Sequence, residues 1–522
     1  WSSDVCSSDL AFDWKKEFPQ VFEKGGFDVV IGNPPYVQLQ SMGAMSDVYA
    51  TCGFESYNKS ADLYCLFTER GYNLLKPNGL QSFIMQNKWM LVDYGKELRR
   101  FLSKTALRQI LNFGDIQFFQ DATTYVCIFV TRKSDVKGTV SALSLNRKTY
   151  HGDFMTEVPT ALQEFDYETF GDEPWIIRSA AHTAVLNKMQ QGKPLKDLPI
   201  AIYRGILTGF NDAFFIDGET RSRLIAEDAK SAELIKPLLR GRDIQAWVPN
   251  WDEQYLIGTF PSLQLNIDDF PAIKNQLLSF GIERLEQSGA KGARKKTPNK
   301  WFETQDSIAY YQEFSKPKIM YPNMTSAFPF IFDDKGVFGN DKTFMITATD
   351  DSFDLKALAA IFNSKLCKLW IWYNCPELQG GTREIRKVYF ENFPVPELNE
   401  NTTNVLSGYT DKMVSLTQTL QEKCGRFLRR ITETYNLQKI TQNIESFYSI
   451  DFSTFVKELG KQKIKLSLVQ KDELEDYFNA YTTECISIKT EIENTEKEID
   501  KMVYELYGLS EDEVKVVEGN TK

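Results

Sequence analysis

FDVVIGNPPY, residues 27 to 36, runs an apolar segment of strand length straight into Asn33-Pro34-Pro35-Tyr36. No other stretch limits the fold as sharply. Each proline holds φ near about −65° and lacks an N–H, so a strand arriving here can neither continue nor pair further. A plain turn is the simplest reading. With proline near 5% of residues and the other two types scarcer, a chance Asn-Pro-Pro-Tyr in a chain of this length is well under about 1%.

The segments that follow set the context of this corner. ADLYCLFTERGYNLLKPNG (61 to 79) places Leu63, Leu66, Phe67, Tyr72, Leu74 and Leu75 near the helical period and stops at Lys-Pro-Asn-Gly. LQSFIMQ then reads as a strand, YGKELRRFLSK (94 to 104) as a helix, and LRQILNF and YVCIFVTRK as two more strands. This alternation, to about residue 135, predicts the C-terminal half of a doubly wound, Rossmann-like α/β sheet. Ligands of such sheets bind beyond the carboxyl ends of the strands, where the corner stands.

Residues 136 to 194 read as a connecting segment ending in a helix. From 195 to 397 short β-rich runs, frequent turns, dense aromatics and clustered Lys/Arg predict an α+β domain. Residues 398 to 522 are Gly-poor, charged and helical, with Gly508 separating two final helices. Charge patterning leaves open whether this tail packs on the preceding domain or pairs with another chain.

Composition removes several functions. The 522 residues are 42% hydrophobic and carry a formal net charge of −10, so any nucleic-acid contact must be a local basic patch. Two histidines, His151 and His182, and eight cysteines without C-x-x-C spacing argue against zinc sites and disulfide frameworks, and no metal is expected. No apolar run of about 18 residues and no signal-peptide pattern occur, so no membrane contact and a cytoplasmic location are expected. WSSDVCSSDL, residues 1 to 10, lacks an initiator Met and is expected to be an assembly scar or disordered.

The corner has a chemical reading. The exocyclic amine of adenine is a poor nucleophile because its lone pair is delocalised into the ring. Two acceptors that take both amine hydrogens favour a pyramidal nitrogen whose lone pair faces an electrophilic methyl group. The Asn33 side chain and the Pro34 carbonyl are such acceptors, and neither titrates. Pro34 and Pro35 make them rigid before substrate arrives. Tyr36 offers a face for the base, a contact of about 1–3 kcal/mol, against the few kcal/mol of unstacking a base from a duplex.

These residues resemble the catalytic motif and downstream half of the gamma-class adenine-N6 DNA methyltransferases, especially the Eco57I-like branch found in type II restriction-modification enzymes with a TaqI-like specificity domain. FDVVIGNPPY is similar to the catalytic motif, DLYCLFTERGYNLLKPNGLQSFIMQNKW to the next two motifs, and LNFGDIQFFQDATTYVCIFVTRK to the last two. The resemblance spans residues 12 to about 510. It implies S-adenosylmethionine as cofactor, double-stranded DNA as partner, and Asn33, Pro34, Pro35 and Tyr36 as the catalytic corner, with Asn33 also part of the cofactor site. It further implies a second aromatic against the flipped base, Phe119 first and Tyr125 second. Core packing is the competing reading for both.

IYRGILTGFNDAFFID, IKPLLRGRDIQAWVPNW, KGARKKTPNKWFE and KIMYPNMTSAFPFIFDDKGVFGNDKTFMIT are similar to TaqI-like target-recognition domains. Arg240, Arg242, Lys291, Arg294, Lys295 and Lys296, interleaved with Trp247 and Trp301, together with Arg383 and Arg386, are the expected DNA-binding residues. A single such cluster is normally a solvated surface; several in one aromatic-rich domain favour DNA.

The departures from the family pattern matter equally. No G-x-G occurs in the chain, although the family binds its cofactor with a Gly-rich loop and an acidic residue upstream of the catalytic motif. The polypeptide alone is therefore expected to bind cofactor weakly or not at all and to be inactive in isolation. No P-D…E-x-K nuclease pattern is present. Two rivals stand beside adenine methylation. One is a DNA-recognition module or inactive fragment without its own cofactor-binding half. The other is a protein glutamine methyltransferase, which residues 195 to 396 argue against because such enzymes lack a large recognition domain.

Overall fold

The computed structural model describes residues 12–119, 124–145, 150–378 and 381–520; the expected scar at residues 1 to 10 lies outside these. Two compact units divide the chain, one of residues 1–183 with 379–381 and one of residues 184–378 with 382–522.

The first unit is a six-stranded mixed sheet. Its elements include, in chain order, β1 (Phe27–Gly32), α1 (Tyr64–Asn73), β2 (Leu75–Gln86), α2 (Lys96–Leu102), β3 (Ala106–Gln117), β4 (Tyr125–Arg132), β5 (Val140–Ser144), α3 (Phe154–Ala161) and β6 (Gln163–Phe165). The spatial order is β1-β2-β4-β3-β5-β6. β1 and β2 pair in parallel, β4 runs antiparallel to β2 and β3, β5 lies parallel to β3, and β6 closes antiparallel. The segment expected to connect domains thus contributes β5 and β6 to the sheet. Short strands with few apolar positions carry little periodic signal, so their pairing was not readable from local pattern. Entry to β1 depends on Gly26 at φ +126°, where a Cβ would lie 2.5 Å from the Leu74 carbonyl oxygen.

The pleat sorts the side chains of this sheet. Phe83 and Met85 of β2 and Cys127 and Phe129 of β4 join α1 and α2 in one core, with Tyr36 packed against it. Val126, Leu111 and Phe113 join Val158 of α3 on a second core, against which Ile84 and Ile128 pack. Alternate residues facing opposite layers is the period-2 signature of a strand covered on both sides. The cover is uneven: on β1, the edge strand among the described residues, Val29 is 55% and Ile31 79% exposed.

The second unit holds two four-stranded sheets. In chain order its strands include β7 (Ile200–Arg204), β8 (Phe215–Ile216), β9 (Ile235–Leu239), β10 (Tyr255–Ile257), β11 (Lys318–Pro322), β12 (Met324–Thr325), β13 (Ile331–Asp333), β14 (Phe338–Gly339) and β15 (Thr343–Ala348). One sheet is ordered β13-β11-β15-β7 and the other β14-β9-β10-β8. Helices α4 (Leu355–Asn363) and α5 (Lys365–Asn374) follow, each N-capped, by Asp354 and Ser364. β16 (Arg383–Glu384) pairs with β12.

The tail is a helical hairpin of α6 (Glu400–Tyr435) and α7 (Leu468–Leu506), ended by α8 (Glu511–Asn520). Both long helices start on a full capping box, Asn399 with Thr402 and Ser467 with Gln470. At the hairpin base Leu406, Met413, Ile499, Val503 and Val517 enter the same core as α4 and α5. The far end builds a core of its own around Phe427, Phe447, Phe455 and Phe478. The hairpin base thus packs on the preceding domain.

Candidate active site and nucleic-acid interface

β1 delivers the corner to the carboxyl end of the sheet. Gly32 is opposite Phe83, and the chain then turns through Asn33-Pro34-Pro35-Tyr36. The next residues are clamped: the Leu63 N–H donates to the Val37 carbonyl at 2.8 Å and the Leu39 N–H to the Ala61 carbonyl at 2.9 Å. A sheet on one side and this ladder on the other, with two fixed φ angles between, leave the corner little freedom.

Its polar atoms are unengaged. Asn33 is exposed, and among the described residues nothing hydrogen-bonds its amide or the Pro34 carbonyl. Pro34 is buried and Pro35 exposed. Tyr36 is half-buried; its hydroxyl donates to the Ile84 carbonyl at 3.4 Å and its ring stands edge-on to Tyr64 at 6.1 Å and 88°. Burial pushes the Tyr36 phenol up to about 12, so it is neutral at ordinary pH and offers a ring face rather than a base.

Behind Tyr36 stands a polar group that sequence reasoning passed over. Asp62 is 6% exposed, and burial raises its carboxyl while the hydroxyls of Tyr64 and Tyr94 and the charge of Lys88 oppose the rise. The Tyr64 and Tyr94 hydroxyls lie 3.5 Å apart. The available signal was the polar Asp62 immediately ahead of the apolar run of α1.

The two candidates for a second aromatic separate. Phe119 packs against the core of Leu111, Phe113 and Val126, on the face of the sheet away from Tyr36. Its expected place against the base is therefore corrected: its ring is spent on core contacts. Tyr125 is half-buried at the start of β4, with the parity of Cys127 and Phe129, which face the core that holds Tyr36.

The basic clusters of the second unit divide in the same way. Arg294 is 3% exposed and acts as a staple: Nε donates to the Leu285 carbonyl at 2.8 Å, Nη1 to those of Thr208 and Glu303 at 2.8 and 2.7 Å, and Nη2 to that of Trp301 at 2.6 Å. Arg383, 6% exposed, bonds Glu377 at 3.0 Å and lies 4.1 Å from the centre of the Trp372 ring. Arg240 donates to Asp243 at 2.8 Å and to Asp252 at 3.2 Å. Trp247, 4% exposed, sits in the core and donates to Glu496 at 3.4 Å. Arg294, Arg383 and Trp247 are corrected from expected DNA contacts to internal structure, because all three are buried, while Arg240 is half-buried and held by its two acids. Trp301 is half-buried against Phe302, whereas Lys291, Lys295 and Lys296 are exposed, as are Arg242 and Arg386, the latter paired with Glu384 at 2.6 Å. No group of three or more His, Cys, Asp or Glu among the described residues could hold a metal, and no helix there is long and apolar enough to cross a membrane.

Comparison with known proteins matches three segments of the chain. Residues 1–119 match the Eco57I restriction-modification methylase family, 236–395 the TaqI-like C-terminal specificity domain, and 399–503 a domain of unknown function, DUF8810. The chain is 27% identical over 399 residues to the type II methyltransferase M.XhoI of Xanthomonas vasicola, covering 71% of this chain and 70% of that one. It is 24% identical over 448 residues to M.BstVI of Geobacillus stearothermophilus, covering 82% and 76%. Among solved structures, the Type IIL restriction-modification enzyme MmeI in complex with DNA shares the fold at a TM-score of 0.53 and 13% identity, over 95% of this chain. The chain spans 57% of that enzyme's length. By these matches the chain joins an Eco57I-like restriction-modification methylase segment to a TaqI-like C-terminal specificity domain.

Proposed function

We propose that the chain serves a restriction-modification DNA methyltransferase that methylates the N6 amine of an adenine flipped out of double-stranded DNA. The observation that carries the reading is the rigid Asn33-Pro34 acceptor pair at the end of β1, with Asn33 exposed and neither acceptor bonded among the described residues. Asn33 Oδ1 and the Pro34 carbonyl accept the two amine hydrogens, and Pro35 fixes their separation. Tyr36 stacks on the base, and Asp62, Tyr64 and Tyr94 hold the Tyr36 ring in place. Tyr125 supplies the second face. Relatives named type II methyltransferases support the reaction class, and the specificity-domain match supports DNA as substrate.

S-adenosylmethionine, when bound, supplies the methyl group. The described residues fit it only in part. The corner forms one wall, but beside it the β1 edge is bare at Val29 and Ile31, and the chain has no Gly-x-Gly to cradle the donor. These residues do not enclose the cofactor, so their role stops at presenting the amine.

The test is transfer of labelled methyl from S-adenosylmethionine to duplex DNA, with product nucleosides separated, on this chain and on the full product of its gene, each with and without Asn33→Ala. Label in N6-methyladenine from the gene product, lost with Asn33→Ala, supports the proposal. DNA binding without transfer in either would make the chain a recognition module, and label on protein glutamine would replace the substrate.

A further inference from the structure

A cleft in the second unit draws together residues that the sequence does not group. One lip is the loop from Gly241 to Ala246, with Arg242 and Gln245 exposed; the other is formed by Met324, Thr325, Ala327 and Pro329. Lys342 and Lys368 complete a cleft of about 560 Å³. Its lining holds three cations and an amide but no carboxylate, on a chain of net charge −10. Arg242 and Lys342 have acids near them, Asp243 at 3.9 Å and Asp341 at 3.1 Å, but both acids lie outside the lining, and Lys368 has no carboxylate in ion-pair range among the described residues. An apolar floor under a cationic rim suits an object with flat apolar edges and a negative backbone.

The lips are built to be stiff. Gly241 approaches the residue ahead of β15 so closely that a Cβ would meet the Lys342 carbonyl oxygen at 2.8 Å. The Asn340 side chain accepts from the N–H groups of both Gly241 and Lys342, at 3.3 and 3.2 Å, tying the first lip to the lysine. Each lip also carries a non-glycine residue in the left-handed region, Trp247 at φ +71° and Phe328 at φ +52°. Such conformations persist only where the surroundings enforce them, and they concentrate at ligand clamps. Both aromatic rings are driven into one core, Trp247 at 4% and Phe328 at 5% exposure. Beside these inward rings Gln245 and Ala327 are exposed. Asn323, between Pro322 and Met324 of the lining, keeps a buried amide oxygen without a partner.

From this we infer that the cleft is the base-reading groove for duplex DNA, with Gln245 and Arg242 reading base edges and Lys342 and Lys368 holding phosphates of the same site. It rests on the reading above that the chain acts on DNA, and it assigns discrimination to residues other than the ion-paired Arg240 and the buried Arg294 and Arg383. Gln pairs bidentately with adenine and Arg with guanine in the major groove; the lysines bind without reading sequence.

The experiment selects duplexes from a randomised pool with the full gene product and measures affinity against salt by fluorescence anisotropy. The Lys342→Glu/Lys368→Glu double variant should weaken binding to every sequence at least about tenfold and lower the salt slope by about two. Gln245→Ala should keep that slope but relax one position of the selected site by about tenfold or more. Gln245 and Lys342 are exposed and Lys368 half-buried, and unchanged thermal melting confirms folding. An unchanged selected site with Gln245→Ala, together with unchanged affinity in the double variant, overturns the inference. So does a loss no greater than that of Lys471→Glu, on the exposed start of α7, or a cleft that takes a free mononucleotide while duplex affinity ignores the substitutions. The two proposals fail separately. Methyl transfer that needs Asn33 but ignores the cleft variants removes the groove alone, and DNA selection that needs the cleft without any methyl transfer removes the enzyme reading alone.

Discussion

At the end of β1 the Asn33 amide is exposed and, among the described residues, neither it nor the Pro34 carbonyl has a partner, whereas in the loop around Arg294 the donors are turned inward and bonded. The two places share a dense run of polar and aromatic residues, and they differ in what fixes the backbone. Two prolines between a sheet and a clamped ladder set the Asn33 corner by covalent geometry, so its acceptors need no partners to stay in place. The loop carrying Arg294 has no such stiffness and uses the guanidinium itself as a frame, with four carbonyls gathered on it. A polar side chain that organises its surroundings is not available to a ligand.

Arg294→Ala should break the comparison most visibly. It removes a buried cation and strands four carbonyl acceptors, a loss of about 3–5 kcal/mol in urea unfolding of the chain. Lys291, Lys295 and Lys296, its exposed neighbours, should each change stability by no more than about 0.5 kcal/mol when replaced by Ala. Comparable losses from all four would mean that the staple is no more than surface.

Asn33→Ala should do the reverse, leaving stability nearly untouched because the side chain is exposed and unbonded. Methyl transfer by the full gene product should fall about 10²–10³-fold, the usual effect of deleting one preorganised hydrogen-bond partner of a reacting group. A drop in melting temperature with activity retained would make Asn33 a turn residue after all.

How much was legible in sequence follows from the same physics. The Asn33 corner and β1 to β4 were readable, because proline geometry and period-2 or period-3.6 patterning are local. β5 and β6 were not, since five and three residues pair only through the sheet that receives them. Nor could cation clusters be sorted. KGARKK does not reveal that Arg294 points inward while Lys295 and Lys296 face solvent, because that depends on carbonyls from Thr208 and Trp301, far and near in the chain. Asp62 escaped notice for a related reason: its surroundings are assembled by Tyr64, Tyr94 and Lys88 on folding.

The hairpin base sharpens the contrast with a buried charge that is only partly satisfied. Asp500 is 4% exposed; it accepts the Lys365 N–H at 2.8 Å and lies 3.5 Å from Lys365 Nζ, yet burial pushes its carboxyl up to about 6. Its folded value exceeds the unfolded one near about 3.9, so the folded state binds the proton more tightly. The stability it contributes is therefore fully present below about pH 4 and lost as pH rises through about 6, on the order of 2–3 kcal/mol at roughly 1.4 kcal/mol per pKa unit. In urea unfolding between pH 4 and 7, Asp500→Asn should remove that slope relative to the unsubstituted chain. An identical slope in both would place the titration elsewhere.

The smallest effect lies within the corner's own sheet, where two aromatics of similar size face opposite layers. Tyr125 shares the parity of Cys127 and Phe129, whose core also holds Tyr36, whereas Phe119 is committed to the core of Leu111 and Val126. A ring against the flipped base contributes about 1–3 kcal/mol to binding, so Tyr125→Ala in the full gene product should raise KM for DNA about tenfold and leave unfolding nearly unchanged. Phe119→Ala should shift the urea midpoint and leave KM within about twofold, since a half-buried core ring serves packing. The reverse outcome would mean that the strand leading to β4 presents its other side to the base, and the division of the sheet into a substrate face and a packing face would have to be exchanged.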